Sequence, residues 1–240
     1  MAGRCQVIAG DREVARGDLR TELMRVEARW TIYAAWLCED TGGRRGRAAL
    51  LERALHLARE ADHPDLMAWA RARQAQWTDP PRAIRLAEAA LRTSRASAHT
   101  RALCAVRAAL AHARIADTET TAHPLAEAHT LAAQQSASPL LSADTPLSGF
   151  LVRCWEARCW AALEPAKGVA LYDDLLRDWP RAVGRRDGSL YHARLAIACA
   201  ASGQLDRARA EGRKALTPAR AMQSATAARE LRQLHDLLRS

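Results

Sequence analysis

Residues 35–42 read AWLCEDTG, and residues 196–203 read AIACAASG. Each stretch begins with Ala, has Cys at the fourth place, and ends on a hydroxyl residue followed by Gly. Eleven residues further on, Ala54-Leu55 follows the first copy and Ala215-Leu216 the second. The copies stand 161 residues apart, about four periods of 40, the length of a helix pair in a repeat protein. A helix hairpin cannot bury its apolar stripe alone, so such pairs stack and share a core. Small residues such as Ala35 and Ala196 let helices approach closely, and Gly before the second helix permits the tight reversal.

Between the two copies lies Ala90-Leu91, in a segment that begins Asp79-Pro80-Pro81, and weaker copies centre on Ala128 and Leu175-Leu176. Five pairs result, at about 20–62, 63–95, 97–135, 148–180 and 187–220, with a last helix at 224–239. Gly42-Gly43, Gly184, Gly188 and Gly203 supply the punctuation. The last helix is expected to cap the stack, with Leu231, Leu234, Leu237 and Leu238 inward and Arg229, Arg232 and Arg239 outward. The organisation expected is an N-terminal extension (1–19), three hairpins (20–135), a Ser/Pro-rich loop (136–148), and two hairpins with the capping helix (149–240). The loop, SASPLLSADTPLS, follows a helix that cannot run through Pro139.

Composition agrees with an all-α class. Ala, Leu and Arg dominate, whereas Phe occurs once and Tyr three times. No apolar run approaches the roughly 18 residues needed to span a bilayer. The N-terminus, MAGRCQVIAGDREVARGD, lacks a signal peptide's apolar stretch, so a cytoplasmic protein with reduced thiols is expected. The formal charge is +9, yet only Lys167 and Lys214 among the 36 basic residues are not Arg, and acids are interleaved throughout. That pattern suits solvated helix faces with ion pairs. The densest clusters, Arg44, Arg45 and Arg47, and Arg181, Arg185 and Arg186, fall in different turns. They do not predict one continuous surface for DNA.

The final pair, His192-x2-Leu195-Ala196-x2-Cys199 followed by Ala208 and Ala215, resembles the tetratricopeptide repeat, with His and Cys where aromatics are usual. The resemblance implies a right-handed α-solenoid of about five degenerate hairpins and a C-terminal capping helix, with a concave binding groove. Over residues 20–135, WTIYAAWLCEDTG, RALHLAREADHPDLMAWARARQAQW, AIRLAEAAL and TRALCAVRAAL resemble the C-terminal sensor half of actinobacterial helix-turn-helix regulators. A sensing or partner-binding role follows from that likeness. DNA binding does not, because only about twenty residues precede the first repeat.

The stretch CWEARCW, 154–160, tests for chemistry. Cys154 and Cys159 stand about 140° apart round a helix and cannot hold one metal from it. Cys38, Cys159 and Cys199 are expected to pack as small hydrophobes. The polar stripes of the first helices are expected to face the groove: Arg29, Ile32, Trp36 and Glu39; Trp69, Arg73, Gln76 and Trp77; Arg153, Glu156 and Trp160. Trp and Arg together suit a recognition surface, so Arg29, Trp36, Trp69, Arg73, Trp77, Arg153, Glu156 and Trp160 are the candidate binding residues.

His123 and Glu127 lie one turn apart, but His129 is turned away from them, and Asp173-Asp174 diverge. With no phosphate loop, HExxH or Gly-x-Ser-x-Gly present, no catalytic residue, metal or cofactor is assigned. The function expected is a regulatory interaction or sensor module whose groove takes a peptide, a protein segment or a small effector. A homodimer is the assembly considered, with no membrane and no direct DNA binding. The rival expectations are a helical-repeat enzyme or accessory protein of a biosynthetic pathway, and the sensor or oligomerisation part of a DNA-binding regulator.

Overall fold

The computed structural model describes residues 2–93, 95–134, 148–178 and 185–239. The 136–148 loop, apart from Ser148, falls outside them, as do Arg181 and Gly184 and the side chains of Arg44, Arg45, Arg185 and Arg186. The described residues form twelve α-helices and no strand. In chain order these are α1 (Ala2–Val14), α2 (Gly17–Asp40), α3 (Arg44–Glu60), α4 (Pro64–Ala75), α5 (Pro80–Leu91) and α6 (Ala98–Ala113). They continue as α7 (Thr118–Ala133), α8 (Ser148–Leu163), α9 (Pro165–Arg177), α10 (Arg185–Ala201), α11 (Leu205–Ala221) and α12 (Ala225–Leu237). No described helix is long and apolar enough to cross a membrane.

Local chemistry sets the helix starts. The side chains of Asp79, Ser97, Asp117 and Ser224 each accept a backbone N–H in the first turn of α5, α6, α7 and α12. A cap of this kind contributes about 1 kcal/mol. Proline opens α4, α5 and α9, where its missing N–H goes unused and its fixed φ suits the helix. Gly42 and Gly203, the matched ends of the two repeat copies, both adopt φ +81°. That left-handed geometry ends α2 and α10 and turns the chain back on itself.

Helix packing follows one rule. Each odd-numbered helix from α3 to α11 packs between the two even-numbered helices beside it in the chain. The even-numbered helices also touch one another in series, α2 on α4, α4 on α6, and so on to α10 on α12. The series closes, because α12 also touches α2. There the Ser224 hydroxyl donates to Asp40 at 3.0 Å across 184 residues of chain. Alanine makes these approaches possible: Ala35, Ala54, Ala196 and Ala215, the repeat-matched positions, are each 1% exposed or less. Helix α6 is enclosed most completely, with every residue from Ala102 to Ala111 buried.

The N-terminal extension is helical in part: α1 packs on α2, and Arg12 donates to the buried carboxylate of Glu27 at 2.7 Å. The expectation for α12 is corrected at two residues. On α12 and the two residues after it, Leu234 is buried, Leu231 and Leu238 pack partly buried against the same core, and Arg232 and Arg239 are exposed, whereas Leu237 is 37% exposed and Arg229 turns in over the Trp77 ring at 5.0 Å. The cause is its contact with α2 as well as with α10 and α11, which leaves charged residues facing inward.

Candidate binding site on the even-numbered helices

Two linked clusters of Arg, Glu and aromatic residues lie mainly on the even-numbered helices. The first joins α2 to α4, to Trp77 in the turn after it, to Arg47 of α3 and to α12. Arg73 Nη2 donates to Glu39 Oε2 at 2.6 Å, and Trp77 Nε1 donates to the other oxygen of the same carboxylate. Both Glu39 and Arg73 are buried. Burial pulls the Arg73 pKa down, and the neighbouring Glu39 only partly restores it. Arg47 and Arg229 lie over the Trp77 ring, at 4.3 and 5.0 Å, and Arg73 stands 6.0 Å from the Trp69 ring.

The second cluster is centred on Trp155 of α8. Three guanidinium carbons approach its ring centroid: Arg107 from α6 at 3.8 Å, Arg158 from α8 at 5.4 Å and Arg194 from α10 at 5.7 Å. Cation–π attraction offsets part of the cost of enclosing these charges. Glu230 of α12 supplies a carboxylate, but Oε1 lies 3.7 Å from Arg158 and 3.6 Å from Arg194. Those are ion-pair distances beyond hydrogen-bond length. Arg107 Nε and Nη1, Tyr172 Oη and Glu230 Oε1 are buried without a hydrogen-bond partner among the described residues.

Burial pulls the pKa of Arg107 well down, and Arg73 lowers it further. Arg158 is lowered by burial and then by Arg194. At Arg194 burial also opposes the charge, yet Glu230 and the tyrosines outweigh it and the net shift is upward. Arg158 is half-buried: burial dominates the ionisation of its guanidinium, while 27% of the side chain as a whole stays accessible.

The candidate residues divide among these surroundings. Arg73, Trp69 and Trp77 come together in the first cluster. Trp36 stacks on Tyr33 at 5.3 Å, Trp30 meets the same Tyr33 edge-on at 6.0 Å, and Arg29 is exposed on this helix. Tyr33 is 45% exposed, so α2 carries an accessible aromatic row. Arg153 is half-buried, and Glu156 pairs with His129 Nε2 at 2.8 Å. Trp160 is buried among Ala109, Leu110, Leu125 and Cys159, with Lys167 Nζ 3.0 Å above its ring. It fills space between helices rather than lining a groove, because α6 closes over that side of α8.

Arg107, Trp155, Arg158, Arg194 and Glu230 were not among the sequence candidates. One signal was available: Arg107 is the only charge in ALCAVRAALA, 102–111, and a lone Arg in such a run must find a polar partner or a π-face.

The cysteines follow burial. Cys104, Cys154 and Cys159 are buried, and burial pushes their thiols up to about 12, 11 and 12. Cys199 is buried and raised for the same reason. Cys38 is half-buried instead, and lines a cleft of about 400 Å³ beside Cys5, between α1, α2 and α3. Iodoacetamide at pH 8 is therefore expected to modify Cys5 and Cys38 first, with the other four reacting only on unfolding. Intact-mass and peptide analysis checks this, and early modification of Cys104 or Cys159 would contradict the packing. Among the described residues no group of three or more His, Cys, Asp or Glu is placed to hold a metal. Glu127 goes to Arg101 at 3.2 Å, and His129 goes to Glu156. Comparison of the chain with protein-family models, with curated proteins and with solved structures finds no match.

Proposed function

We propose that the chain is a tetratricopeptide-like sensor module, a cytoplasmic α-solenoid of five hairpins and a last helix, that binds a small effector on the face of its even-numbered helices. The observation that carries this reading is the enclosed Trp155 cluster, where three guanidinium groups crowd one ring and hydrogen-bonding capacity goes unused. Buried polar groups are nearly always satisfied by protein, by ordered water or by a bound group, so donors concentrated at one ring have capacity for such a partner. The contact of α12 with α2 favours a small effector over a long peptide, since an extended strand of protein needs a groove open at both ends. The role inferred is regulatory: occupancy would change how firmly α12 is held against α2. This reading takes Trp77 as a bridge, because its indole meets Glu39 of α2 while Arg229 of α12 covers its ring.

Native mass spectrometry of the freshly purified protein tests the proposal. The expected result is a non-covalently retained small molecule, lost in Trp77→Ala while the helical circular dichroism is kept. A bare polypeptide mass, together with no thermal shift across a metabolite panel, would overturn it.

A further inference from the structure

We propose that the arginine cluster around Trp155 is an oxyanion site for a small polyanion, a molecule carrying two or three negative charges on phosphate or carboxylate groups. Arg107, Arg158 and Arg194 would hold it. The inference rests on the binding-module reading above and names its ligand class.

The charge balance is the first argument. The guanidinium groups of Arg107, Arg158 and Arg194 converge on the Trp155 ring, and Glu230 is the carboxylate within ion-pair distance of Arg158 and Arg194. Three positive groups thus meet one negative group around that ring. Glu39 is already engaged, since Arg73 and Trp77 take both of its oxygens. Glu230 faces Arg158 and Arg194 at 3.7 and 3.6 Å, beyond hydrogen-bond length of either. Like charges held together away from bulk water repel strongly, and a bound anion removes that repulsion.

The donor geometry is the second argument. Arg107 is 5% exposed and Tyr172 fully buried, and Arg107 Nε and Nη1 and the Tyr172 hydroxyl have no hydrogen-bond partner among the described residues. A planar guanidinium presents paired N–H groups that match two oxygens of a carboxylate or phosphate. The third argument is position: with 27% of its side chain accessible, Arg158 is the arginine of the cluster nearest the surface. The Trp155 ring, with Arg107 at 3.8 Å, acts as a platform that fixes the donors before the anion arrives.

Isothermal titration calorimetry on the full chain, at constant ionic strength, uses inorganic pyrophosphate in one arm and citrate in the other. Saturable binding of one molecule per chain is expected in at least one arm. Arg158→Gln should weaken it about tenfold or more, as loss of a charge-assisted bidentate contact does. Glu230→Gln, which removes the competing carboxylate, should tighten it. A merely structural role for these residues would not move affinity in opposite directions, and circular dichroism confirms that each variant is folded. The double variant Arg82→Gln, Arg85→Gln on the exposed face of α5 should bind like the parent.

Binding in the pyrophosphate arm alone points to a phosphate-bearing ligand, and in the citrate arm alone to a carboxylate-bearing one. Absence of heat in both arms at millimolar concentration overturns the proposal, as does equal weakening by the α5 control. If both arms fail while native mass spectrometry still finds a retained molecule, only the polyanion class falls. If both experiments fail, the binding-module reading falls with it.

Discussion

Glu230→Ala is expected to destabilise the protein by about 3–5 kcal/mol, the range found when one partner of a buried ion pair is removed. Glu230 is 7% exposed and is the carboxylate set against both Arg158 and Arg194. Its own pKa is lowered: burial raises it, but Arg194 and Arg158 more than reverse that effect. Without it, the guanidinium groups near Trp155 keep their mutual repulsion and lose their counter-charge. Neutralising a second group should recover part of the loss, so the double variant Glu230→Ala, Arg194→Met should be more stable than Glu230→Ala alone. Urea denaturation followed by circular dichroism measures both. A loss below about 1 kcal/mol, the size of a surface pair, would show that the cluster is far more solvated than its burial implies. The sign of the pH effect follows from the depressed pKa. The contribution of ionised Glu230 is complete above the ordinary carboxylate range and is lost as pH falls through the lowered value.

The second large effect is expected at Gly168, in the first turn of α9. A Cβ there would stand 2.4 Å from Ala161 Cα and 2.6 Å from Ala161 N, both backbone atoms of α8. Helix propensity alone favours Gly→Ala by about 1 kcal/mol, so the expected sign depends entirely on that clash. Gly168→Ala should cost about 3 kcal/mol, at the top of the usual range for overpacking, because neither backbone can move without parting α8 from α9. Gly212→Ala is the control. Its Cβ would meet only Leu234 Cδ2, at 2.7 Å, the far end of a flexible side chain. That variant should lie within about 1 kcal/mol of the parent, since a rotamer change relieves the contact. Equal melting temperatures for the two variants would show that α8 and α9 are less tightly apposed than described.

The helical class was legible because it rests on local chemistry. Asp79-Pro80-Pro81 both stops and starts helices by backbone rules, and Gly42 and Gly203 mark their turns by steric freedom. The site was less legible, because its membership depends on which helix faces close on one another. Trp155 and Trp160 lie in one short motif, yet about 140° of rotation separates them. One became the centre of an arginine cluster and the other core. Periodicity places residues on faces but does not say which face a neighbouring helix will cover. The inward turn of Arg229 has the same origin, since the contact of α12 with α2 joins segments far apart in sequence.

The hydrogen bond from Ser224 to Asp40 spans 184 residues, whereas most helix contacts here join chain neighbours. Synthesis runs from the N-terminus, so hairpins with local contacts can form early and fast. Glu230 belongs to α12, which leaves the ribosome after Arg107, Arg158 and Arg194. Until α12 is made, those three guanidinium groups have no Glu230 to face, so their counter-charge arrives only with the least local of these helix contacts.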